Sequence, residues 1–200
     1  MSIVFWKALF CDVDDDGDDI LALKPTIYKV RINLSDLDRN YYDTFHLTLA
    51  QHPSETLERM MVRVLAFCIN AQASLVFTKG LCAVEDPDIW ARTLDDQISL
   101  WIDVGEPSFE RMKKARRLSP IVKIYSFNSK SHRWWTQGQT KFKTQKVSIF
   151  QFEWKTLQTL SALVKRTMDL SITITCDTAY VSAELGTCEV PWSVLQSSGL

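Results

Sequence analysis

From Pro25 onward, apolar and polar positions recur with two different periods, and the switches between them divide the chain into strands and helices. Thr26–Leu34 reads as a strand, with Ile27, Lys29, Arg31 and Asn33 set between apolar or bulky neighbours. The turn-rich stretch Asp36-Leu37-Asp38-Arg39-Asn40 follows, and Tyr42–Ala50 is predicted to return as a second strand. His52-Pro53-Ser54 then opens a helix, with Ser54 as N-cap and Glu55 in the first turn, where the helix dipole favours a carboxylate. Leu57, Met60, Met61, Val64, Leu65 and Cys68 recur at helical spacing as its buried stripe. Leu75–Thr78, the extended segment Asp86–Thr93 and Ile98–Val104 supply three more strands. Pro107 and Ser108 start a helix that turns Phe109, Met112, Ala115 and Leu118 to one side. Pro120 stops it, and Ile121–Phe127 is a strand. A short helix at Asn128–Gln137 with Trp134 and Trp135 inward, a strand at Val147–Phe152 and an amphipathic helix at Lys155–Arg166 come next. Leu170–Thr175 and Tyr180–Ala183 are expected as an edge hairpin. With no repeat and no long linker, this pattern predicts one α+β domain, a mixed sheet with flanking helices.

Composition narrows the class. Two hundred residues, 46% hydrophobic and 24% charged, suit a globular chain with a sizeable core. Five cysteines without CxxC or Cys/His spacing exclude a disulfide framework and a zinc site, so a cytoplasmic setting is expected. No apolar run approaches the roughly 18 residues of a membrane span, and the start, broken by Lys7, is a poor signal peptide. A monomer is expected.

The formal charge of −1 conceals an asymmetry: residues 1–20 hold six aspartates against Lys7, which leaves 22 basic and 18 acidic side chains in 21–200. That second segment is mildly basic, which permits a nucleic-acid partner without requiring one. Asp12-Val13-Asp14-Asp15-Asp16-Gly17 matches the opening half of a calcium loop, but Leu23 stands where the bidentate glutamate is needed. Residues 1–20 are therefore read as an acidic N-terminal extension, disordered or the product of a start site placed too early, and 21–200 as the folded domain.

Candidate chemistry centres on Pro87–Gly105. In the strand Ile98–Gly105, alternation turns Ile98, Leu100, Ile102 and Val104 one way and Ser99, Trp101 and Asp103 the other. That puts Asp103 on the less apolar face, near the strand end. Asp88 follows Pro87, and two carboxylates brought close repel unless a cation or proton lies between them. Mg²⁺, which takes oxygen ligands and keeps several waters, suits such a pair. On the first helix, Glu58 borders the apolar stripe while Glu55 points to solvent, so Glu58 is the third candidate ligand. The alternative is that both glutamates suit the helix N-terminus and pair with Arg59 or Arg63. A phosphodiesterase also needs a cation at the phosphate. Lys113 and Lys114 flank the buried face of the second helix at similar angles, with Lys113 nearer the strand end, and either is a candidate; a solvated helix face is the plainer reading. Lys79, Arg111, Lys130 and Arg133 are candidate nucleic-acid contacts. Trp134-Trp135, beside Lys130, His132 and Arg133, would either stack bases or fill core. His46, His52 and His132 have no metal-ligand spacing.

The helix–strand–strand–strand–helix–strand order of Ser54–Phe127, with an aspartate after a proline and another within a strand, resembles the core of the PD-(D/E)XK nucleases. The lysine of that motif is replaced by Gly105. More closely, Leu23–Lys29, His52–Met61, Phe77–Cys82, Leu100–Gly105, Lys113-Lys114-Ala115 and Trp134-Trp135 resemble the bacterial YaeQ family, in order over about residues 21–195. The resemblance implies a single domain on a variant of the restriction-endonuclease-like fold and makes Gly105 a family trait. It also implies a natural start near Leu21 or Ala22, and it supplies no activity. Two functions are expected from these readings. One is a Mg²⁺-dependent nuclease acting on DNA or RNA, with Glu58, Asp88 and Asp103 as ligands. The alternative is a non-catalytic regulatory protein that binds nucleic acid or protein through the same fold.

Overall fold

The computed structural model describes residues 24–198 apart from Gly80 and Cys82. The expected acidic extension, its half calcium loop and the question of the start site lie outside those residues. The first alternating run becomes β1 (Thr26–Asp36), paired antiparallel with β2 (Tyr41–Gln51) from Thr26↔Gln51 to Asp36↔Tyr41. Next come α1 (Leu57–Ile69), β3 (Leu75–Phe77), β4 (Ile89–Arg92), β5 (Ile98–Val104), α2 (Phe109–Leu118) and β6 (Ile121–Ser126), in the order the sequence predicts. The remaining elements are α3 (Ser131–Phe142), β7 (Ser148–Phe152), α4 (Trp154–Ser161), β8 (Thr167–Thr175), β9 (Thr178–Ala183) and β10 (Gly186–Gln196). The result is one α+β domain. None of the helices described is long and apolar enough to cross a membrane.

All ten strands join one mixed sheet in the order β2-β1-β8-β9-β10-β7-β6-β5-β4-β3. Pairing is parallel between β1 and β8, between β5 and β6, and between β6 and β7, and antiparallel elsewhere. The sheet wraps around α1. Phe67 of α1 meets Phe45 of edge strand β2 at 5.1 Å and Phe77 of the other edge strand, β3, at 4.9 Å between ring centroids. Enclosed this way, α1 is buried from Met60 through Cys68, Arg63 included, rather than along a single stripe. Leu157 and Leu160 of α4 share that inner core. The opposite face of the β5–β6–β7 segment carries a second core, in which Trp101, Val122, Ile124 and Ile149 meet Met112 and Ala115 of α2 and Phe142 of α3. β5 is covered on both faces, which is why it reads as a nearly continuous apolar run.

Four expectations are corrected. The first helix is capped by Thr56, whose side chain accepts from Arg59 N, and not by Ser54, which is engaged with His52 Nδ1 in the preceding turn. The β8–β9 hairpin lies inside the sheet rather than at its edge, because β1 and β10 flank it. β10 was hidden by Pro191, a residue that cannot donate to a ladder. Pro191 sits where β10 passes from pairing with β9 (through Pro191↔Thr178) to pairing with β7 (from Trp192↔Phe152), so its missing N–H is tolerated. Leu118, expected inward, is 47% exposed at the last turn of α2.

A carboxylate–arginine centre and a basic face

Both candidate aspartates reach one cleft. β4 and β5 are antiparallel neighbours, and the cleft opens where β4 begins and β5 ends. Its volume is about 420 Å³, and its lining includes Arg59, Asp88, Asp103, Gly105, Glu106 and Arg111. Asp88 and Asp103 are 5% and 3% exposed. Buried carboxylates require partners, because an unpaired charge in the interior costs several kcal/mol (of order 3–5). Here the partners are arginines.

Asp103 is gripped side-on by Arg111, with Nε donating to Oδ2 and Nη2 to Oδ1, both at 2.8 Å. The same guanidinium donates to the carbonyls of Val84 and Asp86, tying the 83–86 loop to α2. Asp88 Oδ1 accepts from Arg59 Nη2 at 2.6 Å and Oδ2 from the backbone N–H of Val104 at 2.7 Å. Arg59 Nη1 reaches Glu55 at 2.7 Å, and Glu55 in turn accepts from Arg63 at 2.9 Å, so a chain Arg63–Glu55–Arg59–Asp88 crosses from α1 to β4. Each cluster is charge-neutral, which allows it to be buried.

The start of α1 reverses the roles expected of its two glutamates. Capping at Thr56 leaves Glu55 outside the helix, so a helical angle does not describe where it points. Glu55 is 6% exposed within the arginine chain. Glu58 is half-buried away from the cleft, where the Ser161 hydroxyl of α4 donates to it at 3.5 Å. Lys113 is exposed and Lys114 pairs with Glu85; neither lines the cleft. Arg111 is the α2 cation that does, because it lies in the first turn, directly above the end of β5. Lys79 is exposed beyond β3 and lies outside the cleft as well. The alternative reading, a glutamate paired with Arg59 or Arg63, holds for Glu55 with both arginines; what sequence reasoning missed is the reach of Arg59 to Asp88, and Glu106. The signal that would have put Glu55 rather than Glu58 in the pair was Thr56 as an alternative cap. Glu106 accepts from the backbone of Phe127 and Asn128 and from the Ser131 hydroxyl, and so closes the start of α3.

Gly105 owes its identity to the backbone. It turns the chain at φ +117 and donates to Tyr125 O at 2.9 Å, while among the described residues, its two chain neighbours aside, nothing lies within 4 Å of where a Cβ would sit. A side chain would have room; the backbone conformation is what disfavours it. Gly105→Lys is therefore expected to lose about 1–3 kcal/mol of stability, read as a lower urea midpoint. An unchanged midpoint would contradict this account.

As placed, the centre does not fit a divalent ion. All four oxygens of Asp88 and Asp103 already take N–H donors, and among the described residues no three His, Cys, Asp or Glu side chains come together to hold a metal. Burial lifts the Asp103 carboxyl above the ordinary carboxylate range; the Arg111 fork pulls it back without cancelling the lift, and Asp88 adds to it. The indole of Trp101 favours the charge without closing a well-formed hydrogen bond. A folded-state value above the unfolded one means that this group's contribution is fully present below the unfolded pKa and is lost as pH rises through the folded one. The stability difference between the parent and Asp103→Asn should accordingly step down as pH rises out of the acid range. Urea unfolding across a pH series reads it, and a difference that grows with pH would contradict the direction.

A second feature adjoins the cleft. Residues 107–152 contain eleven lysines and arginines and one acid, Glu110, whereas the rest of 21–200 contains 11 basic and 17 acidic side chains. α2 and α3 cover the same face of the sheet, so most of this imbalance becomes a basic face on an otherwise acidic molecule; Lys123 is the exception, turned to the α1 side, where it donates to Asn70 Oδ1. Lys113, Arg117, Lys130, Arg133, Lys141, Lys143 and Lys146 are exposed there, and none is ion-paired among the described residues. The low overall charge hid this. Lys130 and Arg133, two of the expected nucleic-acid contacts, belong to it, whereas Arg111 is committed to Asp103.

A family model described as "YaeQ protein" matches residues 21–192. The "Uncharacterized protein YaeQ" of Escherichia coli (strain K12) is 41% identical over 172 residues, 85% of this chain and 95% of that one. Its Salmonella typhi counterpart is 39% identical over 178 residues, 88% of this chain and 98% of its own. Crystal structures of YaeQ proteins from Xanthomonas axonopodis pv. citri and Pseudomonas syringae both superpose with a TM-score of 0.83, at 32% and 33% identity. They are covered to 99% and 97% of their lengths, and each covers 86% of this chain.

Proposed function

The chain belongs to the bacterial YaeQ family, and we propose that it binds nucleic acid through its basic face, on a restriction-endonuclease-like core whose carboxylate centre is closed by arginines. The observation that carries this reading is the excess of basic side chains over 107–152, seven of them (Lys113, Arg117, Lys130, Arg133, Lys141, Lys143 and Lys146) exposed on or just after α2 and α3, which cover one side of the sheet. Such a face attracts the phosphate backbone irrespective of sequence and releases counterions on binding, so affinity falls steeply with salt. The nuclease-like core is supported by the order α1-β3-β4-β5-α2-β6 and by four adjacent strands with β5 and β6 parallel. With both aspartates engaged by arginine, the centre serves as a structural lock that holds α1, the 83–86 loop and α2 against the sheet.

Titration of labelled DNA and RNA oligonucleotides over a salt series tests the reading. Binding should weaken as salt rises, with a slope that becomes shallower by about one per phosphate contact removed, and the exposed substitutions Lys113→Glu and Arg117→Glu should flatten it. Absence of binding to any oligonucleotide at low salt would end the proposal.

A Mg²⁺-dependent phosphodiesterase is the second reading, favoured by two buried aspartates sharing one cleft. It requires Arg59 and Arg111 to leave their carboxylates. Calorimetric titration of Mg²⁺ and Mn²⁺ into the parent, Asp88→Ala and Asp103→Ala separates the two: heat that saturates in the parent alone would favour the metal enzyme, and no heat in the parent would exclude it.

A further inference from the structure

The basic face contains a depression of about 400 Å³ between the start of α2 and α3, and its lining includes Phe109, Lys130, Arg133, Trp134, Lys141 and Phe142. It combines three cations with an aromatic floor. Trp134 is half-buried, and its Nε1 donates to Pro107 O at 3.1 Å, which fixes the indole in place. Phe142 backs it at 4.8 Å between ring centroids. The far end of the Phe142 ring rests on Gly138, where a Cβ would come within 2.1 Å of it, so the glycine gives the ring its place against its own helix. The adjacent Trp135 lies outside the lining. The tryptophan pair is thus split, with one ring available to a ligand.

We infer that this depression seats one nucleotide of a single strand, with the base against Trp134 and Phe109 and the flanking phosphates on Lys130, Arg133 and Lys141. The inference rests on the nucleic-acid reading and deepens it by naming the substrate class. Charge alone attracts any polyanion. The aromatic floor adds a requirement for an unstacked base, which a duplex does not present. Stacking on one such ring is worth roughly tenfold or more in affinity.

The test uses the full chain with four probes of matched length: single-stranded oligothymidylate, oligoadenylate, a duplex, and inorganic polyphosphate, which has charge but no bases. Single strands should bind at least about tenfold tighter than the duplex and quench tryptophan fluorescence, while polyphosphate binds without quenching. Trp134→Leu should lose about tenfold for single strands and leave polyphosphate unchanged, and Trp134→Phe should retain most of the affinity. The exposed triple Lys130→Glu, Arg133→Glu and Lys141→Glu should lose both ligands without altering the thermal melt. Single-strand binding no tighter than duplex binding, or insensitive to Trp134→Leu, would overturn the pocket and leave the nucleic-acid reading standing. Failure of every nucleic acid to bind would remove both.

Discussion

Arg111→Ala is expected to lower the unfolding free energy by about 3–5 kcal/mol, the range for breaking a buried pair from one side. Among the described residues, Arg111 is the side chain that forks both oxygens of Asp103, a carboxylate 3% exposed. The variant leaves that charge in the interior and also frees the Val84 and Asp86 carbonyls. The carboxyl escapes by taking up a proton, so the loss should be largest at neutral pH and above and should shrink as pH falls. Removing both partners is a different experiment. An Asp103→Leu, Arg111→Met double variant has no orphaned charge and should recover most of the loss, because well-packed apolar replacements of buried ion pairs are often neutral or stabilising. Urea unfolding of the two single variants and the double variant reads the coupling. A single-variant loss under about 1 kcal/mol would show the pair to be worth no more than a surface salt bridge.

Arg59→Ala is expected to match it, at about 3–5 kcal/mol, by a different route. Arg59 serves two carboxylates at once, Glu55 and Asp88. Without it Glu55 keeps Arg63, while Asp88 keeps, among the described residues, the Val104 N–H. Arg59→Lys should recover only part of the loss, since one ammonium cannot present a planar fork to two acceptors. The variant also bears on the second functional reading. If the guanidinium stands where a cation would otherwise sit, millimolar Mg²⁺ should raise the melting temperature of Arg59→Ala and leave the parent's unchanged. Equal response in both would detach the arginine from any such position.

The two aspartates were legible because each rests on a local signal. Asp88 follows a proline at a strand start, and Asp103 sits at a known alternation within β5. Their partners were not legible, because arginine reaches several ångströms and its choice of acceptor depends on which elements meet. Glu55 and Glu58 show how sensitive this is. Moving the cap by two residues, from Ser54 to Thr56, exchanged their surroundings: the one expected in solvent is buried between Arg59 and Arg63, and the one expected over the sheet meets Ser161 instead. Lys113 and Lys114 were chosen because they flank the buried face of α2, with Lys113 nearer the strand end; the cation that reaches Asp103 is Arg111, two residues nearer still to the helix start.

By itself the sequence determined the period of nearly every element, the helix–strand order around the cleft, and the two carboxylates. These depend on steric and hydrophobic preferences that act over a few residues. Tertiary structure alone decided that the sheet wraps around α1, that the β8–β9 hairpin lies inside it, and that β10 crosses its middle despite Pro191. It also decided that arginines rather than lysines neutralise the aspartates, and that seven exposed basic side chains spread along 107–152 share one face while Lys123 points away to Asn70. The physical reason is common to all of these. Strand pairing, burial of charge and the addition of surface potential are set by groups distant in sequence, and they act only once the chain has brought those groups together.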